Sequence, residues 1–185
     1  MNNDHLEKFE QNLNSNIANF LIGKNRVDPI LPDTTDIESR WESICTAYLP
    51  YGVKEFSDYP TASLGWMMFI GMAMAKLWDE NWDKYSQYTN IFSDILLPAR
   101  GYDEMDEYIC DEILKLTPNE TADVSKLVGD TAQMVYNLLM HEKFEPGTPD
   151  AFNAYVRCLH QLYYFGAAIE LRRLGYHMTP VGSLN

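Results

Sequence analysis

Twelve consecutive residues, Leu64 to Ala75, carry no charged or hydrogen-bonding polar side chain other than the Trp66 indole. A bilayer-crossing helix needs about 20 apolar residues, so this stretch is too short to span a membrane. It predicts a buried helix over about 61–78, because Leu64, Trp66, Met67, Met68, Phe69, Ile70, Met72, Met74 and Leu77 fall on nearly every side of it. A helix apolar all round must be enclosed by neighbours. Gly65 and Gly71, with Ala62, Ala73 and Ala75, leave room for close approach.

The rest of the chain supplies those neighbours. Leu6, Phe9, Leu13, Ile17, Phe20 and Leu21 recur at three- and four-residue steps and predict an amphipathic helix ending near Gly23. Ile37, Trp41, Ile44, Cys45 and Tyr48 predict a second, ended by Pro50 and Gly52, with a loop to Tyr59. A fourth helix is expected over Trp82–Leu97, stopped by Pro98 and Gly101, and a short acidic fifth over Asp103–Leu116. Thr117-Pro118-Asn119-Glu120 is a capping box that opens the sixth, whose expected buried stripe is Val124, Leu127, Val128, Thr131, Val135, Leu138 and Leu139. Thr148-Pro149-Asp150 opens the last, which places Phe152, Tyr155, Val156, Leu159, Leu162, Tyr163, Gly166 and Ile169 inward. Arg172 and Arg173 suit the negative end of its dipole, and Gly175 stops it. No alternating strand appears. The expected architecture is all-α: one domain over residues 1–185, a bundle of six or seven helices around the central apolar one, with an irregular tail from about residue 176.

Charge limits the partners. The net charge is −13, which opposes long-range attraction to nucleic acid or an anionic membrane; neither is expected as a partner. The only local basic excess is +2 over residues 151–185 and sits at a helix end. Cys45, Cys110 and Cys158 are widely spaced, with no CxxC or Cys/His cluster for zinc. They read as reduced, buried small hydrophobes. With a polar, acidic stretch from Met1 to Gln11, they favour the cytoplasm.

Two carboxylate patterns merit weighing. In Trp78-Asp79-Glu80-Asn81-Trp82-Asp83, Asp79 and Asp83 stand four apart, one helical turn if the helix is continuous there. With Glu80 they would form a magnesium site able to face a diphosphate. The five-residue spacing resembles the aspartate-rich motif of prenyl-diphosphate enzymes, without a second such motif in the chain. The plainer reading is a helix junction whose acids cap the next helix and whose tryptophans join the core. Glu104-x-x-Glu107 followed by Glu120-x-x-Asp123 resembles the magnesium signature of all-helical nucleotide pyrophosphohydrolases. Geometry opposes that reading, because in an antiparallel hairpin the two helix starts lie about 20 Å apart.

His160 is the one histidine well inside an expected helix and reads as a boundary residue with a backbone or tyrosine partner. Aromatic residues exceed what one stripe per helix buries: Tyr163-Tyr164-Phe165 and Tyr155 on the last helix, and Tyr48, Tyr51, Phe56 and Tyr59 near the expected loop. Some must reach the surface, where Tyr and Trp suit protein contacts. The expected function is therefore a non-enzymatic protein-interaction or assembly module, with a protein partner or self-association and no cofactor. The alternative is a magnesium-dependent phosphoester or diphosphate hydrolase using Asp79, Glu80 and Asp83. A third reading, resting on charge alone, is an acidic decoy for a basic surface on another protein.

Overall fold

A computed structural model describes residues 3–177. Among them every regular element is helical. The long helices are α1 (Asn3–Gly23), α3 (Trp41–Asp58), α4 (Pro60–Tyr85), α7 (Pro118–His141) and α8 (Pro149–Arg173). Four-residue helices fill the connections: α2 (Thr35–Glu38), α5 (Leu97–Arg100) and α6 (Met105–Tyr108). The all-α bundle expected from the periodicity is what the chain forms. Residues 178–185 of the expected irregular tail lie outside the described residues, while Tyr176 and His177 are non-helical.

α4 is the centre. Its residues from Ser63 to Ala75 are buried save Trp66, and Leu77 is buried too. Each large apolar side chain so enclosed contributes roughly 1.5–3 kcal/mol. Its most extensive partner is α8, and two glycines explain how the helices come so close. A Cβ on Gly71 would lie 2.2 Å from the Tyr163 carbonyl oxygen, and one on Gly166 would lie 2.2 Å from that of Met68. The backbones touch where side chains are missing, so either glycine is replaceable only if a helix moves.

The capping signals act as read. Thr117 accepts the Glu120 N–H at 3.2 Å, and the Glu120 carboxylate accepts the Thr117 N–H at 3.0 Å. Thr148 accepts the Ala151 N–H at 3.2 Å at the start of α8. Buried Val124, Leu127, Val128, Thr131, Val135 and Leu139 form the α7 stripe.

Prolines mislead the sequence reading in two places. Pro50 was expected to end a helix, yet α3 continues through it to Asp58. An internal proline costs about 3 kcal/mol, and tertiary bonds on both sides hold the helix despite it. The Tyr48 hydroxyl donates to the Ser63 carbonyl, and the Ser63 hydroxyl donates to the Gly52 carbonyl at 2.7 Å. The expected fourth helix is divided. A bend and turn separate Tyr85 from Ile91, and a π-helical turn over Phe92–Leu96 precedes α5, with the Leu97 N–H donating to the Phe92 carbonyl. That wide turn stands just before Pro98, whose ring would crowd the Asp94 carbonyl in a regular α-helix. Gly101, at φ 83°, is the true stop. The fifth segment also widens, over Ile109–Ile113.

Candidate functional site

The acidic segment in the last turns of α4 is a junction. Asn81 has φ −169° and ψ 83°, extended backbone within an otherwise helical run. Its Oδ1 accepts the Lys84 N–H at 3.1 Å, so Asn81, rather than a neighbouring acid, caps the short turn that follows. The spacing argument for Asp79 and Asp83 requires helical backbone at every residue between them, and that condition fails at Asn81. Asp79 accepts a hydrogen bond from the Tyr176 hydroxyl at 2.6 Å. Glu80 instead lines a cleft of about 430 Å³ with Arg100, Tyr108, Glu112 and Lys115. Asp83 lies beyond the bend. Among the described residues, no three His, Cys, Asp or Glu side chains are grouped so as to hold a metal ion. In the other carboxylate pattern, Glu120 belongs to the capping box and Asp123 pairs with Arg26 at 2.8 Å.

His160 has a different partner from the one expected. Its ring stacks on Trp41 with centroids 4.5 Å apart, and its Nε2 meets the Glu38 carboxylate. Nothing in the local spacing points to Glu38, which is 122 positions away. Tyr163, next to this pair, donates to the Ile37 carbonyl at 2.7 Å. The three cysteines are free and buried. Burial pushes the Cys45 thiol up to about 11 and that of Cys110 to about 12, and it raises Cys158 further, which leaves all three as unreactive thiols at neutral pH.

The larger opening is apolar and lies at the other end of the bundle. The last turns of α3 and α7, the connection 142–148 and the first turns of α8 enclose a groove of about 700 Å³, within the size range of ligand and anchor pockets. Val53 and Phe56 come from α3, Tyr136, Leu139 and Met140 from α7, Phe144 from the connection, and Ala151, Phe152 and Tyr155 from α8. Phe56 packs against both Tyr136 and Tyr155, with centroids 6.0 and 4.9 Å away. Val53, Met140 and Phe152 are 44%, 47% and 46% exposed, although each belongs to a helix with a well-buried face. The inward placement expected for Phe152 is thus corrected: its phase on α8 is right, but among the described residues no element fully covers that end of the helix.

Polar atoms beneath the groove are turned inward. The Tyr155 hydroxyl bonds the Ser63 hydroxyl, and Tyr48 bonds Tyr102 at 3.0 Å. Burial, the first cause in each case, raises the phenols of Tyr48, Tyr102 and Tyr155 above the ordinary tyrosine range, so they stay neutral. Among the described residues Lys143, at φ 56° just past the end of α7, is the one lysine, arginine, aspartate or glutamate lining the groove. Among the described residues the lining therefore offers apolar area, the hydroxyl-bearing Ser57 and Thr148 and one cation, and neither a carboxylate, a histidine nor a thiol. Of the aromatics in the surplus, Tyr48, Tyr155, Tyr163 and Phe165 went to the core, while Tyr51 and Tyr59 reach the surface. Signals for the groove were present in Phe144, an apolar residue in a polar connection, and in Met140, off the buried stripe of α7.

No protein family matches the chain, and neither a curated protein nor a solved structure matches it. No helix of the described residues is long and apolar enough to cross a membrane.

Proposed function

We propose that this protein is a non-enzymatic interaction module whose partner-binding face is the groove between α3, α7 and the start of α8. One observation carries the reading: three half-exposed apolar side chains from three helices, Val53, Met140 and Phe152, open onto a single apolar groove. Scattered exposed apolar residues need no explanation, whereas a contiguous set around a concavity marks a contact surface. The lining adds support, because most of its side chains are apolar. Free, buried thiols support a reducing compartment, and hence the cytoplasm, as the place of action. The magnesium-dependent reading through Asp79, Glu80 and Asp83 gains no comparable support, since the three carboxylates face different surroundings.

The groove is tested with Nile red, a neutral dye that brightens on apolar surfaces. The folded protein is expected to bind it saturably, and the double variant Val53→Glu/Phe152→Glu to lose the response while keeping its circular dichroism spectrum. An equal response from both proteins would remove the groove as the contact face.

A further inference from the structure

We propose that the groove takes a free alkanoate, an apolar chain headed by one carboxylate that meets Lys143; this rests on reading the groove as the contact face. The polar groups of the lining select this class of ligand. Among the described residues Lys143 is the one charged side chain in the lining, and no salt bridge holds it. A chain of net charge −13 thus sets an unpaired ammonium, and no carboxylate, at the wall of an apolar opening. Glu142 and Glu145, its nearest acidic neighbours in sequence, do not line the groove, and Glu142 pairs with His5 at 2.9 Å. The Thr148 hydroxyl is already engaged, accepting the Ala151 N–H and donating to the Glu145 carbonyl at 2.6 Å. One cation on an apolar floor matches an apolar body with one anionic end. At φ 56° the backbone of Lys143 lies in the left-handed region that suits glycine after a helix. Glycine would serve the backbone there, and lysine adds an ammonium at the groove.

The same lining disfavours other occupants. An extended peptide would bring an N–H and a carbonyl per residue onto a floor with few partners for them, and burying those groups unpaired is costly. An alkyl chain brings neither. A helix satisfies its own amides, yet a single charged group would have to orient its many polar side chains. Repulsion of an anion by the distant acids is screened beyond about 8 Å at physiological salt. Burial of the chain therefore drives binding, and Lys143 decides where the head group lies.

The test follows displacement of Nile red from the full chain by decanoate, decanol and decylammonium, with calorimetry as a direct measure and circular dichroism to confirm that each variant is folded. Decanoate is expected to bind at one site and more tightly than decylammonium. Each methylene added from octanoate to decanoate should tighten binding up to about fourfold. Lys143→Gly, which the backbone accepts without strain, should weaken decanoate about fivefold, the upper end for an exposed ion pair, and leave decanol within about twofold. Lys143→Glu should reverse the preference in favour of decylammonium, and Val53→Glu/Phe152→Glu should abolish binding of all three. Equal weakening of decanoate and decanol by Lys143→Gly would make Lys143 merely a wall and overturn the head-group assignment. Tighter binding of decylammonium than of decanoate by the unaltered protein would overturn it too. Decanoate binding that survives Val53→Glu/Phe152→Glu would place the ligand elsewhere. If an uncharged Leu/Gln amphipathic peptide displaced the dye and decanoate did not, a helix of a partner protein would take the place of the alkanoate. Dye binding that no alkanoate displaces would remove the alkanoate and leave the groove as a contact face, whereas absence of dye binding would remove both.

Discussion

The two ends of α8 belong to one helix and meet different fates. From Cys158 to Leu171 it lies against α4 so closely that Tyr163 and Phe165 are fully buried and the Gly71 and Gly166 backbones touch their partners. Over its first turns the same helix leaves Phe152 46% exposed beside an open groove. The spacing of apolar residues is continuous across both ends. Periodicity therefore reports which face of a helix is apolar, and coverage of that face depends on where other helices stop. α3 ends at Asp58 and α7 at His141, and the space between their ends is the groove.

The comparison breaks most visibly at the closed end. Gly71→Val places a branched side chain where even a Cβ would lie 2.2 Å from the Tyr163 carbonyl oxygen. Since backbone cannot rotate aside as a side chain can, the expected loss is roughly 3 kcal/mol, the upper end of the usual cost of overpacking. Urea unfolding with an unchanged slope measures it. A loss near zero would mean that the α4–α8 contact is looser than described and that the two ends of α8 do not differ.

At the open end the corresponding test is Thr148→Ala, which removes the acceptor for the Ala151 N–H and a donor to the Glu145 carbonyl. A lost cap costs about 1 kcal/mol. Hydrogen exchange should show the increase concentrated in residues 142–155, because those turns have fewer buried neighbours and open locally. Uniform acceleration along α8 would show instead that its ends are one cooperative unit.

Much of this was legible beforehand. The central helix, both threonine caps and the α7 stripe followed from apolar spacing and side-chain chemistry that act within a few residues. Pro50 and the Phe92–Leu96 widening were not legible, because what decides them is tertiary: Tyr48 and Ser63 bonds sustain a helix that a proline alone would end. The pairing of His160 with Glu38 shares that property, and so does the assembly of the groove, of which the sequence carries only the partial signals of Phe144 and Met140. Each depends on residues brought together from distant segments, and no spacing rule encodes them. The Asp79/Glu80/Asp83 cluster was readable only on the condition of an unbroken helix, and one extended residue, Asn81, removes the condition.

Glu170 sharpens the closed end through pH. It is 1% exposed and held by Arg173 at 2.6 and 2.8 Å. Burial raises its carboxyl above the ordinary glutamate range, outweighing the Arg173 bonds that lower it. A raised carboxyl pKa means that the folded state holds the proton longer than the unfolded state does. Its contribution is then fully present below the unfolded glutamate value and is lost as pH rises through the folded one. Relative to wild type, Glu170→Gln should flatten that decline in urea stability across the mildly acidic range. A steeper decline in the variant would show that the Arg173 ion pair dominates.

The smallest effect on stability is expected at Phe152, and it decides what the open end is for. An aromatic residue truncated in a core costs several kcal/mol because it leaves a cavity, but Phe152→Ala removes a ring already half in water and facing a groove. The expected change is within about 0.5 kcal/mol, together with a clear loss of Nile red binding in the folded protein. A large stability loss would mean that Phe152 belongs to the core in solution and that the groove is closed there. Unchanged stability with unchanged dye binding would leave the ring outside any contact surface. Only the combination of a neutral fold and a lost ligand response distinguishes an apolar side chain kept for a partner from one kept for the bundle.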